Sequence, residues 1–293
     1  ALEEKKITPE TVFTIPYALK RSTKVFHDHE PHATQRLTAS GILAVSSNTG
    51  SIKIGELMPN DILHKYLTKF GIGEKTGSGL PGESRGIFLK VADWSGTTAP
   101  TVAFGQGYSL TAMQATSVFA TIANNGVRVS PTVIAGTSDA SGNYTPSATR
   151  ESVRVISADT AQKMRIMMES VVSGNGTAPS AAIAGYRVAG KTGTAQRIDD
   201  TCGCYRGYTA SFIGFAPADN PAYVISVTIQ DPKGMHWGGT LGGPVFKDVM
   251  SFVLKSKGIA PTGTLVEPVA LTEKQLIAKR ALAAKKAASA KTN

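Results

Sequence analysis

Three runs in the second half of the chain constrain most strongly what it can fold into. Residues 186–196, 208–216 and 223–230 each read as a strand, and the last alternates well and is rich in β-branched side chains. The gaps between them are short, which favours antiparallel neighbours over parallel strands joined by crossover helices. Pro244 then reads as the opening of a helix with Val245, Phe246, Val249, Met250, Val253 and Leu254 turned inward. Helices first, then consecutive strands, then a covering helix place the chain in the α+β class, with an antiparallel sheet flanked by helices. No internal repeat interrupts this order.

The first half supplies the flanking helices. Residues 8–35 hold Pro9, Pro16 and Pro31 and read as loop. Residues 37–57 read as one or two helices broken at the polar run Ser46-Ser47-Asn48. Asn60 is a candidate cap for a helix whose stripe is Ile62, Leu63, Tyr66, Leu67 and Phe70, ended by Gly71. Residues 71–86 contain six glycines and one proline and are predicted to be loop. A helix is predicted from Thr111 to Asn125, closed by Gly126, with Ala115, Val118, Phe119 and Ile122 inward. Residues 128–154 read as short strands and turns. Ser157 caps a further helix that carries Met164, Met167, Met168 and Val171 on one face, a stripe suited to core packing.

Composition narrows the function classes. With 41% hydrophobic and 18% charged residues in 293, the chain has the make-up of a globular protein large enough to need no disulfide staples. No apolar run approaches the roughly 20 residues that cross a bilayer. No signal segment opens the chain, and Ala1-Leu2-Glu3-Glu4 reads like a helix already under way. The expectation is a fragment whose membrane anchor lies upstream.

Half of the net charge of +10 sits in residues 271–293, where Lys274, Lys279, Arg280, Lys285, Lys286 and Lys291 oppose Glu273 alone. That stretch lacks large apolar residues after Leu282. Residues 261–293 are therefore expected to form a basic Ala/Lys-rich tail, solvated and helical, after a main body over 1–260. An anionic lipid or wall polymer is the alternative contact for it. No base-reading motif accompanies the charge, so no nucleic-acid partner is expected. Cys202 and Cys204 are open to three readings: two free thiols, an extracytoplasmic disulfide, or a metal contact.

Two short polar motifs carry the candidate chemistry. Ser46 offers a hydroxyl, and the Asn48 amide both donates and accepts. Lys191-Thr192-Gly193-Thr194 falls on the first predicted strand, where bare Gly193 lets a backbone or ligand come close. A cation, two hydroxyls and a free strand edge suit a peptide with a terminal carboxylate, added as an extra strand. The chain contains its own control. A second tripeptide, Lys75-Thr76-Gly77, lies in the glycine-rich stretch with no strand behind it and is read as a loop without catalytic role.

In this arrangement the chain resembles the class B penicillin-binding proteins. Ser46-Ser47-Asn48 with its following Thr-Gly is similar to their Ser-x-Asn box, and Val188-Ala-Gly-Lys-Thr-Gly-Thr-Ala-Gln196 to their third box. Phe70-Gly-Ile-Gly73, Leu80-Pro-Gly-Glu83, Ala103-Phe-Gly-Gln-Gly107, Thr121-Ile-Ala-Asn-Asn-Gly126 and Pro244-Val-Phe246 match in the family's order. The likeness runs from about residue 1 to 255 and is greatest to division-type transpeptidases of actinobacteria.

The resemblance implies the penicillin-binding, serine β-lactamase-like fold with the N-terminal part of the domain absent. It implies a peptidoglycan D,D-transpeptidase at the outer face of the cytoplasmic membrane, needing no cofactor or metal, with D-Ala-D-Ala stem peptides, β-lactams and division-machinery membrane proteins as partners. By the same resemblance Ser46 shuttles a proton to the leaving amine, Asn48 holds the substrate amide, and Lys191 raises the local potential. Thr192 and Thr194 bind the substrate carboxylate beside Gly193, and the Thr194 N–H forms half of an oxyanion hole. A D,D-carboxypeptidase or β-lactamase, or a non-catalytic β-lactam sensor or division scaffold, are the alternatives on the same fold.

One departure is decisive. No serine in the 293 residues begins a Ser-x-x-Lys, so the nucleophile is not in this chain, which is expected to be inactive as it stands. The element that carries the box is expected to supply two further strands and most of a central helix. Without it a sheet edge and a core face would lie open, an aggregation hazard. His27, His29 and His32 are read as a polar loop, and His236 and Trp237 as either surface loop or the end of a substrate cleft.

Overall fold

The computed structural model describes residues 1–148, 150–199, 201–266 and 268–290. At its centre lie β9 (Ala189–Asp199), β10 (Cys204–Ala216) and β11 (Tyr223–Gln230), antiparallel in the order β11-β10-β9. The period of a strand sends Phe212 and Phe215 to opposite faces. Phe212 packs on Phe246, 4.9 Å between ring centroids, together with Met250 and Leu254 of α7 (Gly238–Ser256). Phe215 packs on Ile122 of α5 (Ala112–Ala123) and Met168 of α6 (Ala158–Val172). Each fully buried ring contributes about 2–3 kcal/mol. The result is one helix on one face of the sheet and two on the other, the α+β layering that the strand spacing implies.

Local chemistry explains the helix ends. Thr111 and Gln114 form a reciprocal capping box on α5, and Ser157 caps α6. The buried Gln114 amide also donates to the Glu74 and Arg85 carbonyls, which ties the glycine-rich loop to this helix. Residues 127–154 form short strands: β5 (Val127–Val129) pairs with β8 (Ser152–Arg154), and β6 (Gly136–Ser138) with β7 (Tyr144–Pro146).

Several expectations need correction. Residues 8–35 are not plain loop. They hold β1 (Val12–Ile15), β2 (Ala18–Arg21) and β3 (Lys24–His27); β1 pairs with β4 (Gln35–Thr38) and β2 with β3. Each strand is four residues long and the prolines fall between strands, so periodicity carried little signal. Asn60 does not cap α3 (Asn60–Lys69); it is the first helical residue, and Pro59 holds the cap position without a side-chain bond.

Pro244 does not open its helix either. α7 begins at Gly238, six residues earlier, and Pro244 lies inside it. Val245 and Val249 are exposed rather than inward, because Phe246, Met250 and Leu254 define the buried stripe. Among the described residues β11 pairs on one side only, and Phe252 of α7 is 71% exposed.

The tail is not solvated from its start. Ala270, Leu271 and Leu276 are buried. Thr38 donates its N–H to the Leu271 carbonyl (3.0 Å) and its hydroxyl to the Ala270 carbonyl (2.7 Å). Arg36 grips Glu273 with two nitrogens, and Lys279 and Arg280 reach Glu10. Beyond Leu276 the helix α8 (Glu273–Ala290) is exposed; Lys291 and the two residues after it lie outside the described residues. Cys202 and Cys204 are disulfide-bonded at the tip of the β9–β10 hairpin, with Gly203 in the left-handed region between them, and are not free thiols. Among the described residues no helix is long and apolar enough to cross a membrane, and no group of three or more His, Cys, Asp or Glu is arranged to hold a metal ion.

Candidate active site

The site forms where two helix ends meet an edge strand. Helix α1 (Ala39–Val45) stops at Ser46, whose backbone takes the left-handed conformation (φ 57°) and caps the helix. Ser47 restarts the chain as the cap of α2 (Asn48–Gly55), its hydroxyl accepting from the Gly50 N–H at 2.9 Å. The two helices approach so closely that a Cβ on Gly50 would sit 2.7 Å from the Ile42 side chain. A left-handed residue between two capped helices pushes the Ser46 side chain out of both.

It is met there by Lys191. The Lys191 Nζ donates to the Ser46 hydroxyl at 2.7 Å and to the Thr192 carbonyl at 3.0 Å, across 145 positions of sequence. Both partners are uncharged oxygens, so desolvation dominates and pushes the ammonium pKa down to about 8. A lowered ammonium pKa eases proton exchange between the lysine and the serine hydroxyl.

The rest of the predicted strand motif is in place on β9, the outer strand of the sheet, which pairs on one side with β10. The Thr192 hydroxyl lies 2.9 Å from that of Thr177. The Thr194 hydroxyl accepts from the Gly238 N–H at 3.2 Å, at the start of α7. A Cβ on Gly238 would meet the Gly193 carbonyl at 2.3 Å, so only glycine fits there. The bare side of Gly193 faces the Ser211 hydroxyl of its cross-strand partner, where an added Cβ would be 2.4 Å away. Asn48 belongs to the same turn as Ser46, and its amide donates to the His27 carbonyl at 2.9 Å.

The family model described as the penicillin binding protein transpeptidase domain matches residues 1–251. The chain belongs to that family.

Relatives of the transpeptidase domain include penicillin-binding protein PbpB of Mycolicibacterium smegmatis, 36% identical over 88% of this chain and 42% of the relative. Peptidoglycan D,D-transpeptidase FtsI of Escherichia coli K12 is 34% identical over 85% and 40%. The crystal structure of penicillin binding protein 3 of Mycobacterium tuberculosis in complex with aztreonam superposes with a TM-score of 0.86 at 35% identity, over 92% of this chain and 62% of that one. The chain thus spans about two fifths of the length of these curated relatives.

Several residues around this site carried no signal of their own in the sequence. Asp28, 7% exposed, accepts from the Ser47 hydroxyl (2.8 Å) and the Thr49 N–H (2.9 Å) and so seats the Ser-x-Asn turn. It follows β3 in a segment read as loop, and nothing local marks an aspartate there as buried. Thr177 and Gly238 were likewise invisible, since each matters only through a neighbour on another element. Gln106, just after the short helix α4 (Thr98–Ala103) and between Gly105 (φ 90°) and Gly107, reaches the Gln196 amide at 3.1 Å and brings that loop to β9. Trp237 caps the start of α7, its ring 5.8 Å from His29 and 4.8 Å from His236. Of the three clustered histidines, His27 and His32 lie against Tyr17 and His29 faces Trp237, so they serve different contacts.

Proposed function

We propose that these residues form the Ser-x-Asn wall and the substrate strand of a peptidoglycan D,D-transpeptidase, with the serine nucleophile coming from a Ser-x-x-Lys element that the 293 residues do not contain. The observation that supports it most directly is the 2.7 Å contact between Lys191 Nζ and Ser46 Oγ beside the outer edge of β9. A stem peptide ending in D-Ala-D-Ala lies along that edge, its carboxylate toward the hydroxyls of Thr192 and Thr194 and the Lys191 cation.

The nucleophile attacks the penultimate carbonyl, and the Thr194 N–H stabilises the oxyanion, a contribution of about 3–4 kcal/mol. The C–N bond then breaks. Ser46, accepting from Lys191, hands its own proton to the departing D-Ala amine and is resupplied by the lysine. Asn48 orients the amide of the bound stem. An amine from a second stem then attacks the acyl-enzyme; the ester bond to the serine breaks, the amine's proton returns to the serine oxygen, and the cross-link closes. β-Lactams follow the first half of this route and stop at the acyl stage. Division-machinery membrane proteins are the proposed protein partners, the outer face of the cytoplasmic membrane the site of action, and residues 261–293 a basic extension of the catalytic body.

Fluorescent penicillin tests this reading. The 293-residue chain is expected to stay unlabelled, and a polypeptide joining it to a Ser-x-x-Lys element is expected to label. Labelling of the chain itself, or no labelling of the joined form, defeats the proposal.

A further inference from the structure

The Ser-x-Asn turn rests on Asp28, and Asp28 is itself held by a histidine. His32 Nε2 lies 3.0 Å from Asp28 Oδ2, and His32 Nδ1 lies 2.7 Å from the Ala33 carbonyl oxygen. A carboxylate and a carbonyl can only accept, so each contact requires an N–H on the ring. A neutral imidazole has one N–H and an imidazolium has two. Only the charged ring satisfies both contacts.

Asp28 in turn receives the Ser47 hydroxyl on Oδ2, the Thr49 N–H on Oδ1 and a longer contact of 3.4 Å from the Thr49 hydroxyl. The preceding residue, His27, receives the Asn48 amide on its carbonyl. Thus the corner at residues 27–28 carries the turn from Ser47 to Thr49, and His32 closes it from behind. Among the described residues the ring's charged partner is Asp28; the Tyr17 ring from the β1–β2 connection stands edge-on at 5.9 Å and is itself 5.1 Å from the His27 ring. Helix α2 presents Ser47 and Thr49 to the carboxylate, both uncharged.

We infer that His32 is a positioning residue for the Ser-x-Asn turn: as a doubly donating imidazolium it anchors the Asp28 carboxylate that seats Ser47 and Thr49, so the Ser46 hydroxyl is held at Lys191 best while the ring keeps its proton. The role assigned to Ser46 rests on the transpeptidase reading; the mechanical coupling of His32 to the turn does not. Burial lowers the His32 pKa, but the bonds to the Ala33 carbonyl and to Asp28 outweigh it and hold the ring above the usual histidine value. For a raised pKa the contribution is complete below the ordinary histidine midpoint and is lost as pH rises through the folded value. Lys191 also titrates on the alkaline side, so the two must be separated by a variant. His32→Arg retains several donors and a permanent charge.

The deciding experiment is an NMR pH titration of the full chain, following the His32 ring and the backbone amides of Thr49 and Gly50. The His32 midpoint is expected above that of an ordinary histidine, and both amides are expected to shift with that same midpoint. Asp28→Asn should return the histidine toward its ordinary value, and His32→Arg should leave the two amides flat across the range. Amides that ignore the His32 titration, or that still titrate in His32→Arg, overturn the inference. If His32→Arg fails to fold, His32→Gln, which donates to one partner at a time, must likewise give pH-independent amides.

The catalytic consequence is read on the chain joined to a Ser-x-x-Lys element. The wild-type penicillin acylation rate is expected to fall about tenfold more than that of His32→Arg on the alkaline side, the lower end of the effect of one charge-assisted hydrogen bond. Identical profiles overturn the catalytic part of the inference. A joined protein that never acylates removes the transpeptidase reading, while the amide titration still decides the positioning role.

Discussion

The chain contains the same tripeptide twice, and the two copies have nothing structural in common. Lys191-Thr192-Gly193 lies on a strand that pairs, among the described residues, on one side only, with its lysine half-buried against Ser46. Lys75-Thr76-Gly77 lies in the glycine-rich loop, with its lysine exposed. There the Glu83 carboxylate takes the Thr76 hydroxyl, the Gly77 N–H at 3.0 Å and the Ser78 hydroxyl at 3.1 Å. In the first copy the threonine meets the Thr177 hydroxyl and the glycine lets the start of α7 come close; in the second they fasten a loop. A tripeptide sets which groups are available, and the packing around it sets what they can do.

The comparison breaks most readily at the lysines. In the form joined to a Ser-x-x-Lys element, Lys191→Ala is expected to lower the rate of penicillin acylation by about 10²–10³. Lys75→Ala should leave it within about twofold. Stopped-flow acylation measures both, and equal losses would mean that position on β9 has no bearing on the chemistry.

A stability measurement on the chain itself gives a smaller and opposite contrast. Lys191 is desolvated and paired only with uncharged oxygens, so its charge costs folding energy. Lys191→Met is expected to stabilise the chain by about 1 kcal/mol at neutral pH in urea melts, and Lys75→Met to change it by less than about 0.5 kcal/mol. The sign follows from linkage. A lysine whose folded pKa is lowered makes the wild type more stable as pH rises through about 8 toward the unfolded value, so the advantage of the methionine variant should shrink over that range.

The smallest effect sharpens the loop side. The hydroxyl of Thr76, followed by the Gly77 and Ser78 bonds, holds the Glu83 carboxyl below the usual carboxylate range. Its contribution is present above the ordinary carboxylate pKa and is lost as pH falls through the lowered value. Glu83→Gln is expected to lower the melting temperature slightly at neutral pH and not at all in acid, with no change in acylation. A loss of acylation would show that the loop copy also serves the site.

Much of the fold and of the site could be read from residue order. The three strands appear, two of them with boundaries shifted by a few residues, and Ser46 and Lys191 are both singled out by their motifs. What escaped was short or depended on distant partners. β1 to β4 span four residues each, too few for a period to emerge. Pro244 reads as a helix start because proline favours that position, yet the glycines at 238 and 239 let α7 begin earlier, where they pass within reach of the Gly193 and Thr177 carbonyls. The tail looked uniformly polar, but a few side chains near residue 271 suffice to dock it on β4.

By itself the sequence determined which segments alternate with a strand's period or a helix's, where capped helices begin, and which polar groups the site has at its disposal. These follow from steric preferences and burial patterns that act over a few residues. Only the tertiary structure decided that Lys191 lies 2.7 Å from a serine 145 positions away, that Asp28 and not another carboxylate seats the Ser-x-Asn turn, and that one Lys-Thr-Gly meets that serine from an outer strand while the other staples a loop. Those outcomes depend on how whole layers pack. A shift of an ångström in a helix against the sheet makes or loses a hydrogen bond, and no local pattern encodes it.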